Sequence, residues 1–141
     1  MPMQRRYSQV IERLKQVGLR PTRQRMALAK LLFDAGDHHF SAEQLHSQAS
    51  GAGIRVSLAT IYNTLHQFTK AGILREIIVS SGRSYFDTNT SDHHHFFFED
   101  SHRLLDIDAK DMAITKLPEL PEGTTLDRVD VVIRVSVNPK S

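Results

Sequence analysis

This chain of 141 residues contains no cysteine. That absence excludes disulfides, cysteine-held structural zinc and a thiolate nucleophile. Any metal must be bound by histidine and carboxylate, a donor set that suits Zn, Fe or Mn. A long apolar run is missing too. Neither a transmembrane helix nor a signal-peptide core is therefore expected, and the chain reads as cytoplasmic with no membrane partner. There is no HExxH pair and no glycine-rich phosphate loop. A His/carboxylate metalloenzyme with an open coordination position would leave the basic N-terminal half unexplained, so no enzymatic activity is expected.

The net charge of +2 hides an asymmetry. From Met1 to Arg75 there are 11 Lys/Arg against 4 Asp/Glu, net +7; from Glu76 to Ser141 there are 7 against 12, net −5. A basic half joined to an acidic half points to a polyanion-binding module followed by something different.

Val10, Ile11, Leu14 and Val17 form a helical stripe that Gly18 ends. Thr22 is a candidate cap for a second helix with Met26, Ala29, Leu32 and Phe33 on one face, closed by Gly36. Ser41 and Gln44 make a capping box for a third helix that buries Ala42, Leu45 and Ala49. Gly51-Ala52-Gly53 breaks the chain. Ser57 caps a fourth helix with Leu58, Ile61, Leu65 and Phe68 inward. Its outer face carries Thr60, Asn63, Thr64 and Gln67, with Tyr62 at the margin. No acid occurs from Ser57 to Lys70, whereas most surface helices mix both signs; such a face suits a DNA groove. Strands at 73–79 and 84–87 flank a turn at 80–83. Four helices and a hairpin in this order predict a winged helix-turn-helix over residues 1–87, with Arg83 near the wing tip and residues 88–92 as a hinge.

Residues 93–141 predict a small α/β domain, and the whole an α+β fold. Strands are expected at 93–100 and 104–107, and a helix from Asp108 to Leu117. A last strand follows, in which Val129, Val131, Ile133, Val135 and Val137 alternate. About 50 residues without disulfides rarely bury a sufficient core, so dimerisation through this sheet is expected. A homodimer would give the N-terminal modules two half-sites on double-stranded DNA. Within SDHHHFFFED, His93 and His95 are spaced i, i+2. On a strand, that puts both imidazoles on one face roughly 6.6 Å apart, half of a metal site. His46 and His66 read as structural and His102 as a solvated turn residue.

The strings GLRPTRQRMALAKLL, HHFSAEQLH, VSLATIYNTLHQFTKAGIL, YFDTN and SDHHHFF together resemble the ferric uptake regulator (Fur) superfamily in order and across nearly the whole chain. DTNTSDHHHFF, the ending VDVVIRV and the lack of cysteine are most similar to its alphaproteobacterial iron response regulator (Irr) branch. The resemblance implies a homodimeric transcription factor that responds to metal or haem. It implies that 57–71 is the recognition helix, with Tyr62 approaching bases and Thr60 and Asn63 beside it. Arg20, Arg23 and Arg25 would contact phosphates or the minor groove. The family's interdomain metal site matches His39, Asp87, His93, His95 and Asp106, with aspartate at 87 and 106 where many relatives have glutamate. The CxxC pairs of relatives are absent, with Phe98 and Ser101 where the first would stand. One metal-type site per protomer is expected, and no Cys-type zinc. The Cys-Pro haem motif of some relatives is also missing, so any haem would be ligated by His93, His94 or His95. An iron- or haem-responsive regulator that loses DNA affinity on ligation is the leading expectation. The alternatives are a metal-activated repressor (Mn, Fe or Zn) or a peroxide sensor on the same fold.

Overall fold

The computed structural model describes residues 2–34, 36, 38–80 and 82–139, with side chains from Ser8 onward. Ser81, in the expected wing turn, lies outside the described residues. The chain divides into two compact units, Met1–Thr90 and Ser91–Ser141.

The first unit holds α1 (Pro2–Gln16), α2 (Arg23–Asp34), β1 (His39–Phe40), α3 (Ala42–Gly51), α4 (Leu58–Lys70), β2 (Arg75–Ser80) and β3 (Arg83–Asp87). The start signals act as expected. Thr22 Oγ1 accepts from the Arg25 amide at 3.2 Å, and Ser57 Oγ accepts from the Thr60 amide at 3.1 Å. Ser41 and Gln44 form a complete capping box. The stop signals share one geometry. Gly18 and Gly72 adopt φ of 78° and 77°, and the following amide returns to a carbonyl five residues back, Leu19 to Leu14 at 2.8 Å and Ile73 to Phe68 at 3.1 Å. This closure needs a left-handed residue, which glycine supplies without strain.

Val10, Leu14, Leu28, Ala29, Leu32, Leu45, Ala49, Ile61, Leu65 and Phe68 form the heart of the core. Two expected placements change. Val17 stands past the end of α1 and is exposed. Thr64 is buried rather than outward, because 61, 64, 65 and 68 form one i, i+3, i+4, i+7 stripe. The expected hairpin is present, β2 antiparallel to β3 with Arg75 opposite Asp87. A short third strand, β1, pairs on the other edge of β3 with His39 opposite Asp87. Two residues carry no periodicity, so β1 was not foreseeable.

The second unit holds β4 (His94–Phe98), β5 (Arg103–Ile107), a 3₁₀ turn (Ala109–Asp111) and β6 (Val132–Val135). β4 is central, antiparallel to β5 and parallel to β6. The helix expected from Asp108 to Leu117 does not form. Asp108 caps a single turn, and Met112 is already extended at φ −149°, ψ 123°. A short helix needs tertiary packing, and Ile114 and Leu117, its apolar candidates, stay exposed. The last strand is shorter than its alternation suggested, because β4 offers partners only for Val132–Val135. Phe97, Leu104 and Ile107 are this unit's buried hydrophobic residues, while Leu105, Ile133 and Val137 are exposed. Among the described residues no helix is long and apolar enough to cross a membrane.

Leu65 is 0% and Ile78 67% exposed. Leu65→Ala should therefore cost about 2–5 kcal/mol, and Ile78→Ala no more than about 0.5 kcal/mol. Denaturant unfolding of both variants checks this; equal losses would contradict the assigned core.

Candidate metal centre and nucleic-acid interface

In the second unit, period-2 alternation turns His93 and His95 to one face, their ring centroids 4.5 Å apart. They are 7% and 1% exposed. β5 brings Asp106 opposite His95 in register. Asp106 Oδ1 lies 3.4 Å from His93 Nε2 and 3.3 Å from His95 Nε2. Two donors sharing a tetrahedral ion at about 2.0–2.1 Å stand roughly 3.3 Å apart, so the spacing fits a common metal. His93 Nδ1 donates to the Ser91 carbonyl at 2.7 Å. Since a carbonyl can only accept, that bond places a proton on Nδ1 and makes Nε2, the nitrogen facing Asp106, the one that could ligate a metal. His94 alternates to the other face, where its Nδ1 accepts from the Val131 amide at 3.1 Å. The three adjacent histidines therefore do not converge.

In the first unit, His39 Nε2 lies 3.5 Å from Asp87 Oδ2. Asp87 is 1% exposed, and its Oδ1 accepts from the Asn89 amide at 2.9 Å. Register makes His39, Asp87 and Arg75 one row across β1, β3 and β2. Arg75 and Asp87 are both buried, so this row holds opposite charges, either of which would be costly to bury alone. Each of the five sequence-predicted ligands thus has a partner from that set within its own unit.

The outer side of α4 is arranged around Tyr62. Its hydroxyl donates to Glu43 Oε1 on α3 at 2.7 Å. Asn63 is exposed. The Thr60 hydroxyl accepts from Ser57 Oγ at 2.9 Å, so it takes part in the cap. Arg20 and Arg23 are exposed. Arg25 instead braces the fold: its Nε donates to Gln67 Oε1 at 3.3 Å and its Nη1 to the Arg20 carbonyl at 2.8 Å. His46 has the structural role expected of it, Nε2 meeting the Val56 carbonyl at 3.1 Å. His102 is more than a solvated turn residue, since it stacks on Phe97 with centroids 6.0 Å apart.

Sequence reasoning missed Glu43 and Arg75, and it placed Gln67 on the groove-facing side without its bond to Arg25. Arg75 had a signal, because it shares the parity of Ile77 and Val79 on β2, the buried face. Glu43 had none, as it meets Tyr62 only through the packing of α3 on α4.

The hydrogen bond to Glu43 pushes the Tyr62 phenol above its usual range, and the same bond holds the Glu43 carboxyl below its own. The signs follow. The contact persists between the two ionisations; it is lost as pH falls through the lowered Glu43 value and as pH rises through the raised Tyr62 value. Glu43→Ala should return Tyr62 toward a phenol pKa of about 10. The check is phenolate absorbance, taken as the difference between each protein and its Tyr62→Phe counterpart. An unchanged titration would contradict the contact.

A family model described as the ferric uptake regulator family matches residues 16–133. The chain is 39% identical over 82 residues to the ferric uptake regulation protein of Shigella flexneri, covering 58% of this chain and 55% of that protein. It is 33% identical over 98 residues to the peroxide operon regulator of Bacillus subtilis (strain 168), covering 70% and 67%. The matched region thus spans little more than half of the Shigella relative. Among solved structures, the ferric uptake regulator of Pseudomonas aeruginosa with manganese matches at TM-score 0.66 and 25% identity, over 89% of this chain and 96% of that one. That of Helicobacter pylori matches at 0.71 and 14%, over 97% and 92%, a likeness of fold. With the family model matching residues 16–133 of 141, the chain belongs to the ferric uptake regulator family.

Proposed function

We propose that this chain is a homodimeric transcription regulator that binds duplex DNA through its N-terminal unit and responds to a divalent metal held at His93, His95 and Asp106. The observation that carries the proposal is the approach of two buried imidazole Nε2 atoms to one Asp106 oxygen. The resemblance also implies His39 and Asp87 as metal ligands, and within the first unit these two lie 3.5 Å apart. A bound divalent cation would supply positive charge to the Asp106 carboxylate and keep the two buried imidazoles in their neutral, ligating form. His93 is already held in the ligating tautomer by Ser91. Asp106, 49% exposed, offers the approach from solvent.

On the DNA side, the Tyr62 ring can pack on thymine methyls and Asn63 can pair with adenine edges. Thr60 lies beside them, and Arg20 and Arg23 are exposed for phosphates. Arg25 acts by holding Gln67 of α4. No acid on α4 opposes the polyanion. The second unit's exposed Leu105, Ile133 and Val137 are suited to burial against a second copy.

The iron-responsive branch is the finer reading. Haem as the signal would use His94, which faces away from the metal cluster and, with Nδ1 engaged by Val131, would ligate through Nε2. In that case ligation lowers DNA affinity, whereas a metal-activated repressor binds DNA when loaded. A peroxide sensor would oxidise His93 or His39 when iron-loaded and exposed to peroxide.

His93→Ala with His95→Ala should abolish Mn(II) binding by calorimetry and the thermal stabilisation by excess Mn(II), about 2.7 kcal/mol at 100 Kd, while DNA binding by the metal-free protein survives. Retained Mn(II) binding would refute the site. Tyr62→Ala should weaken binding to a duplex selected from a random library by roughly 5- to 150-fold, with Mn(II) binding intact. Unchanged DNA affinity would refute the placing of the DNA-reading helix.

A further inference from the structure

An exposed acid is out of place on a surface meant for phosphates. Glu43 sits in the first turn of α3 and reaches the one tyrosine on α4. Both side chains stand on well-fixed elements, α3 behind its capping box and α4 behind its Ser57 cap and buried stripe. With Ser41, Arg83 and Tyr85 they line a cleft of about 190 Å³. At 2.7 Å, Tyr62 Oη to Glu43 Oε1 is a short, charge-assisted bond.

We propose that Glu43 is a specificity-determining residue of the DNA-reading surface: by taking the single hydroxyl proton of Tyr62, it leaves Tyr62 able only to accept hydrogen bonds from DNA. The inference rests on α4 being the DNA-reading helix. A tyrosine hydroxyl has one proton and lone pairs, and an ionised carboxylate only accepts. The pair therefore presents acceptors alone. In the major groove, adenine N6 and cytosine N4 donate, while guanine O6 and N7 and thymine O4 accept. An acceptor-only pair selects adenine or cytosine at the contacted position and rejects guanine and thymine, whose lone pairs would face lone pairs. The ring of Tyr62 stays available for a thymine methyl. The charge of Glu43 lowers affinity for every sequence, an effect that Arg83, whose charge acts on Glu43, partly offsets. Discrimination is obtained at the expense of general affinity.

The test is binding of the full-length protein and its Glu43→Ala, Glu43→Gln, Tyr62→Phe and Tyr62→Ala variants to a random duplex library, read by sequencing bound and unbound fractions. Glu43→Ala and Tyr62→Phe should both relax preference at the same base position, by about fivefold or more. Glu43→Gln still accepts from the Tyr62 hydroxyl through its amide oxygen but adds an N–H donor, so it should relax that preference less than Glu43→Ala while binding all sequences more tightly. If Glu43→Ala and Glu43→Gln raise affinity equally for all sequences and leave every base preference intact, Glu43 is only a repulsive charge and the proposal is overturned. If Tyr62→Ala leaves all affinities unchanged, the DNA-reading role of α4 itself falls, and the inference with it.

Discussion

The rotation of α4 about its own axis is the constraint on which the proposed DNA-reading surface depends. Ile61, Leu65 and Phe68 are fully buried, each contributing about 1.5–3 kcal/mol of apolar burial. A helix with that stripe has one favourable setting against α1, α2 and α3. Once it is adopted, Tyr62 and Asn63 have no choice of side. The Ser57 cap, the Gly72 stop and the Arg25–Gln67 bridge hold the helix along its length. The groups proposed to face bases are thereby positioned by apolar packing on the opposite side of the helix. The contact between Tyr62 and Glu43 depends on the same setting, since a turn of α4 by one residue would carry the hydroxyl away from α3.

The second unit obeys a different logic. It has few buried apolar side chains, chiefly Phe97, Leu104 and Ile107, and it buries the imidazoles of His93 and His95 beside them. A chain without cysteine has no disulfide to make up for a thin core. Ligation of a metal by buried histidines would add binding free energy to folding free energy, so sensing and stability become linked. The exposed Leu105, Ile133 and Val137 point to association as a second source of burial. In this unit the proposed ligand site and interface would do what a larger core does in the first.

The first unit was legible because each helix carries its own instructions. Caps at Thr22, Ser41 and Ser57, glycines at 18, 36 and 72 and apolar stripes between them are local signals. The candidate metal residues were legible in two ways, His93 and His95 from strand alternation, and His39, Asp87 and Asp106 from resemblance alone. What failed was non-local. Asp108–Leu117 has helical propensity enough to suggest a helix, but no neighbour covers Ile114 or Leu117. The alternation of Val129–Val137 runs past the end of its partner β4, and a strand without a partner is not a strand. Thr64 was misassigned by counting chemistry instead of angle, since its position lies on the buried stripe whatever its hydroxyl prefers. Glu43 acquires its place only when two helices pack.

The most direct test of a metal-controlled DNA-binding protein is operator affinity against ligand loading. A duplex selected from a random library would be titrated with the metal-free protein, and again with one equivalent per chain of Mn(II), Fe(II) or haem. The account predicts that a divalent metal changes affinity by about fivefold or more, and that the change disappears when His93 and His95 are replaced together. An affinity that is the same with and without metal would contradict it. A loss of affinity on haem with no response to Mn(II) or Fe(II) would move sensing from the His93–His95–Asp106 cluster to His94.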